Sequence, residues 1–461
     1  MAENTKIFKV LICDHIGLKF GADSKPDASE VRQHIENSGG VFHMGGADDH
    51  EKIDAGKIHF FYLPQLSTAD EILGQTSNGQ YDAVIAAATF IPATAKFASG
   101  GVRIGAGTGN MGSASWGGGN GVGGIAPLMN TPSFNSRATA QMAMKALLHF
   151  VPDLPFEKLH ALCVASNFDT GKNLADYPTE KLEGKTIAIL GYGNIGREVA
   201  LLAKSFGLIV KIYARPKHQQ WIESEGFIFA ASTLEAATDA NIISVHTGLG
   251  TYDTATGAYA NQNLVGSTVL SKMAHGSLLL NFDRGECVEA AALDQAMANG
   301  QIKHAAIDAD IFKSTDATLS GPLLPYLPLA KKYSSRILLL PHAAADTCHT
   351  SRVEGAKQAV DQIINAITNK RVTNLKGDLP DGYTNAGSYT VINVGKVSPR
   401  RITDVLDDPN KFSDVTTTLE NMSRLWADIS SANHAKQAEL IKAINHHANL
   451  MRELGLIGPF E

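Results

Sequence analysis

Short runs of about four to seven consecutive apolar residues recur along the chain, separated by stretches in which apolar positions fall at helical spacing. Continuous rather than alternating apolar runs suit strands covered on both faces, so the pattern predicts parallel sheet wrapped by helices. The candidate strands are Lys9–Cys13, Ile58–Leu63, Tyr81–Ala87, Thr186–Leu190, Leu208–Tyr213, Ile242–His246, Ser277–Asn281, His304–Ile307 and Ile337–Leu340. Candidate helices between them are Asp27–Ser38, Ser67–Leu73 with Ser67 as its cap, Asn135–Val151, Arg197–Phe206, Ala290–Asn299 and Thr347–Asn369. The expected class is α/β, with a doubly wound parallel sheet downstream of residue 182 and a first region that is α/β as well.

Two stretches break this alternation. Residues 99–124 are very rich in glycine and read either as a flexible linker or as a backbone-lined substrate loop. Their length and the embedded Arg103, Asn110 and Trp116 favour the loop. In residues 388–461, Leu419, Met422, Leu425, Trp426 and Ile429 repeat at helical spacing, as do Leu440, Ile441, Ile444 and Met451. Two amphipathic helices are expected there, covering the body of the protein or a second subunit.

Composition adds exclusions. The 461 residues are 44% hydrophobic and 19% charged, with a net charge of −6, so no nucleic acid or membrane partner is indicated. The four cysteines, Cys13, Cys163, Cys287 and Cys348, are widely spaced, which argues against a disulfide framework or a zinc site and for a reducing compartment. No apolar run approaches the roughly 20 residues that span a bilayer, and the first residues lack a signal-peptide core. A cytoplasmic location is the default expectation. His434, His446 and His447 lack supporting carboxylate spacing, and no metal is assigned.

The most specific chemistry lies in residues 182–215. Strand Thr186–Leu190 runs into GYGNIG, then a helix, then a second apolar run. Gly191 permits a tight turn, Gly193 leaves room for a pyrophosphate, and Gly196 allows close packing of helix on strand. The turn residues Gly191, Gly193, Asn194, Ile195 and Gly196 would thus present a helix N-terminus to a dinucleotide. An acid about 20 residues further on would read the ribose of NAD. The chain instead has Ala214, Arg215, Pro216 and Lys217, so NADP is favoured, with Arg215 and Lys217 facing its 2′-phosphate and NAD left possible.

Over about residues 100–375 the sequence resembles the D-isomer-specific 2-hydroxyacid dehydrogenase family. The motifs are LEGKTIAILGYGNIG, VHT, LLNFDRGECVEAAAL, AAIDAD and LLPHAAADT, with NTPSFNSRATAQ similar to the family's helix-entry segment. The resemblance implies two Rossmann-like doubly wound parallel-sheet domains with a cleft between them, plus a helical C-terminal extension. Residues 1–135, completed by about 346–387, would form the substrate domain, 136–345 the dinucleotide-binding domain and 388–461 the extension. Helical crossings would begin near Asn135 and Asp346.

Position by position, the resemblance makes Arg284 the cation that binds the carboxylate of a 2-oxo or 2-hydroxy acid and polarises its carbonyl. His342 matches the general acid/base, a role suited to imidazole with its unperturbed pKa of about 6.5. Asp308 corresponds to a contact with the nicotinamide carboxamide, and His246 and Thr247 lie near the same ring. Gly105, Ala106 and Gly107 match a loop whose N–H groups take the substrate carboxylate.

The sequence departs from the family at Lys313, where a glutamate should orient the histidine. Asp310, two residues beyond Asp308, would share its face if the strand continued and is the preferred substitute, ahead of Asp283 and Asp316. The segment 86–93 has no cation, which disfavours a phosphorylated substrate, although Arg103 and Arg137 could supply charge from elsewhere. The expected activity is an NADP-preferring oxidoreductase moving hydride between nicotinamide and a small 2-oxo or 2-hydroxy acid, as a homodimer. The alternative is a dinucleotide-sensing regulatory protein of the same fold.

Overall fold

The structure, a computed structural model, describes residues 6–22, 24–50, 53–66, 68–313, 318–342, 347–387, 399–454 and 456. Ser67, Asp316 and Asp346, each given a role in the sequence reading, lie outside the described residues. The chain divides into two compact units, one of residues 1–218 and 227–386 and one of residues 219–226 and 387–461.

The larger unit holds two seven-stranded sheets. In the first, the order from one edge is Val41–Met44, Ile58–Leu63, Phe8–Cys13, Ala83–Ala86, Gly100–Arg103 and Leu128–Asn130, all parallel, followed by antiparallel Leu375–Lys376. In the second, all parallel, it is Ile228–Ala230, Ile209–Tyr213, Thr186–Leu190, Ile242–Val245, Ser277–Asn281, Ile302–Asp308 and Ile337–Leu340. Both sheets carry helices on their faces, the α/β doubly wound architecture expected from the apolar runs.

Alternation along the first sheet assigns each residue to one of two cores. Val10, Ile12, Phe60, Tyr62, Ile85, Val102 and Met129 face helices Ser29–Asn37 and His349–Thr368, through Val31, Ile35, Val353, Val360 and Ile363. Leu11, Phe61, Leu63, Val84 and Leu128 face Ile72, Phe97, Met111 and Trp116. Helix Ala69–Thr76 begins at a capping box in which Thr68 and Glu71 bond each other's backbone N–H, so the cap is Thr68.

Several boundaries move for identifiable reasons. The helix after the glycine turn is Asn194–Ser205, three residues earlier than expected, because Arg197 N–H already bonds the Gly193 carbonyl and Asn194-Ile195-Gly196 form the first turn. The first crossing helix, Pro132–Phe150, starts at a proline whose missing N–H costs nothing at that position. It packs on both Asn194–Ser205 and His349–Thr368.

The glycine-rich segment is not a linker. Its first residues are the strand Gly100–Arg103, hidden from sequence inspection by two glycines. After Gly109 the chain leaves the strand ends and fills one face of the sheet. Trp116 is buried there, stacked on Phe97 at 5.7 Å, with its indole N–H on the Met111 carbonyl. A Cβ at Gly101 would stand 2.6 Å from the Trp116 ring, so the indole occupies the space a side chain would need. Trp116 is therefore a core residue and not part of a substrate loop. Asn110 also turns inward, donating to the Ala87 and Thr89 carbonyls.

The smaller unit contains helices Gln219–Ser224, Pro399–Leu406, Pro409–Ile429 and His434–Glu453. The described residues of the extension thus form three helices where two were expected. The Trp221 indole donates to the Thr403 hydroxyl at 3.1 Å. Helix Pro409–Ile429 starts at Asp408, which caps the N–H groups of Asn410 and Lys411.

Trp116→Ala should lower stability by about 3–5 kcal/mol, and Gly101→Ala by about 1–3 kcal/mol through overpacking. Urea unfolding followed by tryptophan-independent circular dichroism checks this. A Trp116→Ala variant as stable as the parent would contradict the core placement.

Candidate active site

In the second sheet the strand order reverses between Thr186–Leu190 and Ile242–Val245, which opens a crevice at their carboxyl ends. Three glycines shape it. Gly191 (φ 107) bonds through its N–H to the Tyr213 carbonyl, and its Cα lies on the backbone of His246 and Thr247, where a Cβ would collide. Gly196 lies against the Gly191 carbonyl with no room for a side chain. Gly193 faces open space and is the extended residue before the helix, which has no side-chain cap. An uncapped helix N-terminus behind an open glycine fits a dinucleotide pyrophosphate, with Asn194, Ile195 and Gly196 in the first turn.

Arg215 follows strand Ile209–Tyr213, next to the glycine turn. It is exposed, and its guanidinium lies 3.4 Å from the His218 ring. Lys217 is exposed too. His218 is buried edge-on against Tyr192.

His246 ends the next strand. It is buried, its Nε2 bonds the Ser244 hydroxyl at 2.8 Å, and its Nδ1 has no hydrogen-bond partner. Burial pushes its pKa down to about 3, so the ring is neutral. The Thr247 hydroxyl approaches the buried Cys287 thiol at 4.0 Å, and burial, reinforced by Asp283, pushes that thiol up to about 12.

Asp283 and Arg284 follow strand Ser277–Asn281 and are held by Asn281. The Asn281 amide accepts the Asp283 N–H at 3.2 Å and donates to the Arg284 carbonyl at 3.0 Å. The Arg284 guanidinium meets Asp310 Oδ2 at 3.4 Å, with both side chains partly exposed. It also lies directly on the Cα of Gly107, where any Cβ would strike it. Arg284 is thus the residue at which the two sheets' strand-end loops meet.

The neighbouring loop is built to hold that position. The Gly105 N–H donates to the Thr131 hydroxyl at 3.0 Å, and the Asn130 amide donates to the Ala106 carbonyl at 2.6 Å. Gly105 (φ 130) packs on the Arg103 guanidinium. Arg137 is 3.8 Å from Glu198, on the pair of packed helices.

Asp308 is buried at the last position of its strand. The strand ends there, so Asp310 does not continue its face, as the sequence reading required. It lies beyond the strand and turns to Arg284 instead. His342 follows Ile337–Leu340 by two residues in a left-handed conformation (φ 55), and its buried Nδ1 has no hydrogen-bond partner among the described residues. The main chain of Lys313 pairs with Leu319 in a short antiparallel ladder.

One cluster was missed in the sequence. Asp14 (φ 67) follows the first strand and accepts the N–H groups of Ala87, Ala88 and Thr89 and the Thr89 hydroxyl. The Leu66 carbonyl lies 2.9 Å from the same hydroxyl and competes for its single proton. A carboxylate immediately after the apolar run KVLIC was the available signal. Among the described residues no group of three or more His, Cys, Asp or Glu is disposed to hold a metal, and no helix is long and apolar enough to cross a membrane.

Residues 156–344 match the family described as D-isomer specific 2-hydroxyacid dehydrogenase, NAD binding domain. That segment is similar to the NAD-binding domain of the D-isomer-specific 2-hydroxyacid dehydrogenases. It is 29% identical over 225 residues to D-3-phosphoglycerate dehydrogenase of Escherichia coli K12, covering 48% of each chain. It is 32% identical over 184 residues to glyoxylate reductase of Aeropyrum pernix, covering 40% of this chain and 49% of that one. The chain thus spans about half the length of these curated relatives.

Solved structures of 2-hydroxyacid dehydrogenases share the fold over a larger part of the chain. The NAD+-bound 3-phosphoglycerate dehydrogenase of Entamoeba histolytica has a TM-score of 0.54 at 17% identity, over 81% of this chain and all of that one. D-2-hydroxyisocaproate dehydrogenase has a TM-score of 0.51 at 15% identity, over 78% and 97%.

The depressed pKa of His246 has a pH consequence. The unfolded chain binds a proton at His246 below about 6.5 that the folded chain takes up only near 3. Stability is therefore fully present above pH 6.5 and is lost as pH falls toward 3, by up to about 1.4 kcal/mol per unit. His246→Gln should flatten the melting temperature between pH 6.5 and 4.5; an unchanged slope would refute a neutral buried ring.

Proposed function

We propose that this chain is an NADP-preferring oxidoreductase that moves hydride between nicotinamide and a 2-oxo or 2-hydroxy acid. The observation that carries the reading is Arg284, which lies against the Gly105-Ala106-Gly107 loop on one side and Asp310 on the other. A guanidinium fixed there can take the acid's carboxylate and stabilise the charge that develops on its carbonyl oxygen. Asp310 holds the guanidinium in place. The dinucleotide, when bound, supplies or accepts the hydride.

His342 gives the proton to the carbonyl oxygen in reduction and takes it back in oxidation. His246 and Thr247, with Asp308, bound the nicotinamide end of the crevice. Gly191, Gly193, Asn194, Ile195 and Gly196 hold the pyrophosphate. Arg215 and Lys217 read the 2′-phosphate, since no acid follows Tyr213. The substrate is a small unphosphorylated acid, supported by a loop at 86–93 without cations whose Thr89 hydroxyl turns inward to Asp14.

A screen of 2-oxo acids with NADPH and NADH tests this. Turnover is expected with NADPH preferred, and Arg284→Ala should lower kcat/KM by about 10²- to 10³-fold. Tight NADPH binding without turnover of any acid would support a dinucleotide-sensing role instead. Arg215→Ala should weaken NADPH affinity about ten- to a hundredfold while leaving NADH unchanged; an unaltered ratio would remove Arg215 from phosphate recognition.

A further inference from the structure

Helix Pro409–Ile429 runs for 21 residues, and none of its described residues is buried. One side of it, carrying Val415, Met422, Leu425 and Ile429, is half-buried, and the helix packs on His434–Glu453, where Leu440 and Met451 are buried. A second apolar row lies beside that seam. Phe412, Leu419 and Trp426 follow one another at seven-residue intervals and are 51%, 50% and 70% exposed. Seven residues make nearly two turns, so the three stand in line about 10 Å apart. Single exposed apolar side chains are ordinary, but a continuous row marks a surface meant to be covered.

The surroundings of the row suit burial. Thr416, Ser423 and Ser430 each lie one turn after a member of it, and the Thr416 and Ser430 hydroxyls donate to the Phe412 and Ala427 carbonyls of the same helix. Those two hydroxyls therefore need no water. At about 100° per residue, Asp414, Arg424 and Asp428 fall on the far side of the helix from Leu419. Lys411 is turned to Asp408 at 3.5 Å.

We propose that this row is the contact through which a second copy of the chain packs, antiparallel, on the extension. The sequence left open whether the extension covers its own chain or another subunit, and three features of the row favour the copy. It reads alike from both ends, with an aromatic residue seven positions to either side of Leu419. A two-fold axis through Leu419 lays Phe412 against the partner's Trp426 and brings the two leucines together, the self-complementarity of an isologous contact. Charge sets the direction. Asp408 caps the helix eleven residues before Leu419; parallel helices would bring two such carboxylates together, whereas reversal sets each opposite Ser430.

The third feature is area. Aromatic side chains bury about 150–250 Å2 each, and Phe412 and Trp426 leave half or more of that in water. With Leu419 and the small residues between them, each copy offers about 500 Å2, the level at which a specific but reversible contact begins. A foreign partner would find no charge on this face by which to be selected. The proposal does not depend on the reductase reading.

Sedimentation equilibrium of the full chain over about a hundredfold range of concentration tests it. The parent's mass should rise with concentration. Leu419→Arg, at a half-exposed position that tolerates a charge, sets two guanidinium groups face to face on the axis and should weaken association about a hundredfold with unchanged circular dichroism. If the larger unit associates by itself, the variant stops at half the parent's mass. A parent that stays monomeric, or a variant that matches it at every concentration, overturns the proposal. In a Cys163→Ser background, which removes an exposed thiol, mixed Phe412→Cys and Trp426→Cys chains should cross-link on oxidation while neither does so alone. No cross-link in the mixture, or Trp426→Cys cross-linking with itself, overturns the antiparallel arrangement.

Discussion

The contact of Arg284 with the Cα of Gly107 is the constraint around which the larger unit is arranged. It demands that a strand end of one sheet and a loop of the other approach within the thickness of a guanidinium, and it leaves no room for a side chain at position 107. Each partner is pinned locally. Asn281 brackets Arg284 from the preceding strand, while Asn130 and Thr131 hold the glycine loop from the following one. The helices that connect the sheets pack on one another, so the approach is set by side-chain packing rather than by a flexible hinge of glycines.

Other glycines likewise serve close approach. Gly101 yields its side-chain volume to Trp116, and Gly121 lies against the backbone of Lys376 and Gly377. The 99–124 segment thereby becomes a packed cover over one face of the first sheet. Its indole and Phe97 do the work that apolar side chains of a helix do on the other face. In the second sheet, Gly191 and Gly196 allow the turn, the helix and the neighbouring strand end to meet at backbone distance.

Carboxylates at strand ends divide the remaining tasks. Asp14 gathers three N–H groups and a hydroxyl of the 87–89 turn and so fixes the loop beside the glycine-lined site. Asp310 neutralises Arg284 where both remain partly exposed. Asp283, more enclosed, faces the glycine N–H that follows His246 and Thr247. Burial there raises its carboxyl above the ordinary range, only partly offset by the Gly248 N–H and the Arg284 charge. His246 shows the same effect on a base: a ring buried with a single hydroxyl partner stays neutral.

The apolar runs determined by themselves that the chain forms parallel sheet, because a strand covered on both faces must be apolar throughout, and strand positions such as Thr186–Leu190 and Ser277–Asn281 were legible to the residue. The glycines of GYGNIG likewise determined the tight turn, since at Gly191 and Gly196 only glycine meets its backbone demands. Local sequence could not reveal Gly100–Arg103 as a strand, because the packing that stabilises it comes from Trp116, fifteen residues later. Nor could it decide among Asp283, Asp310 and Lys313. Spacing assumed that the strand continued past Asp308, and the tertiary structure ended it there. Which carboxylate meets which cation depends on where separate strands stop relative to one another, and that is decided by sheet register and packing across the whole unit.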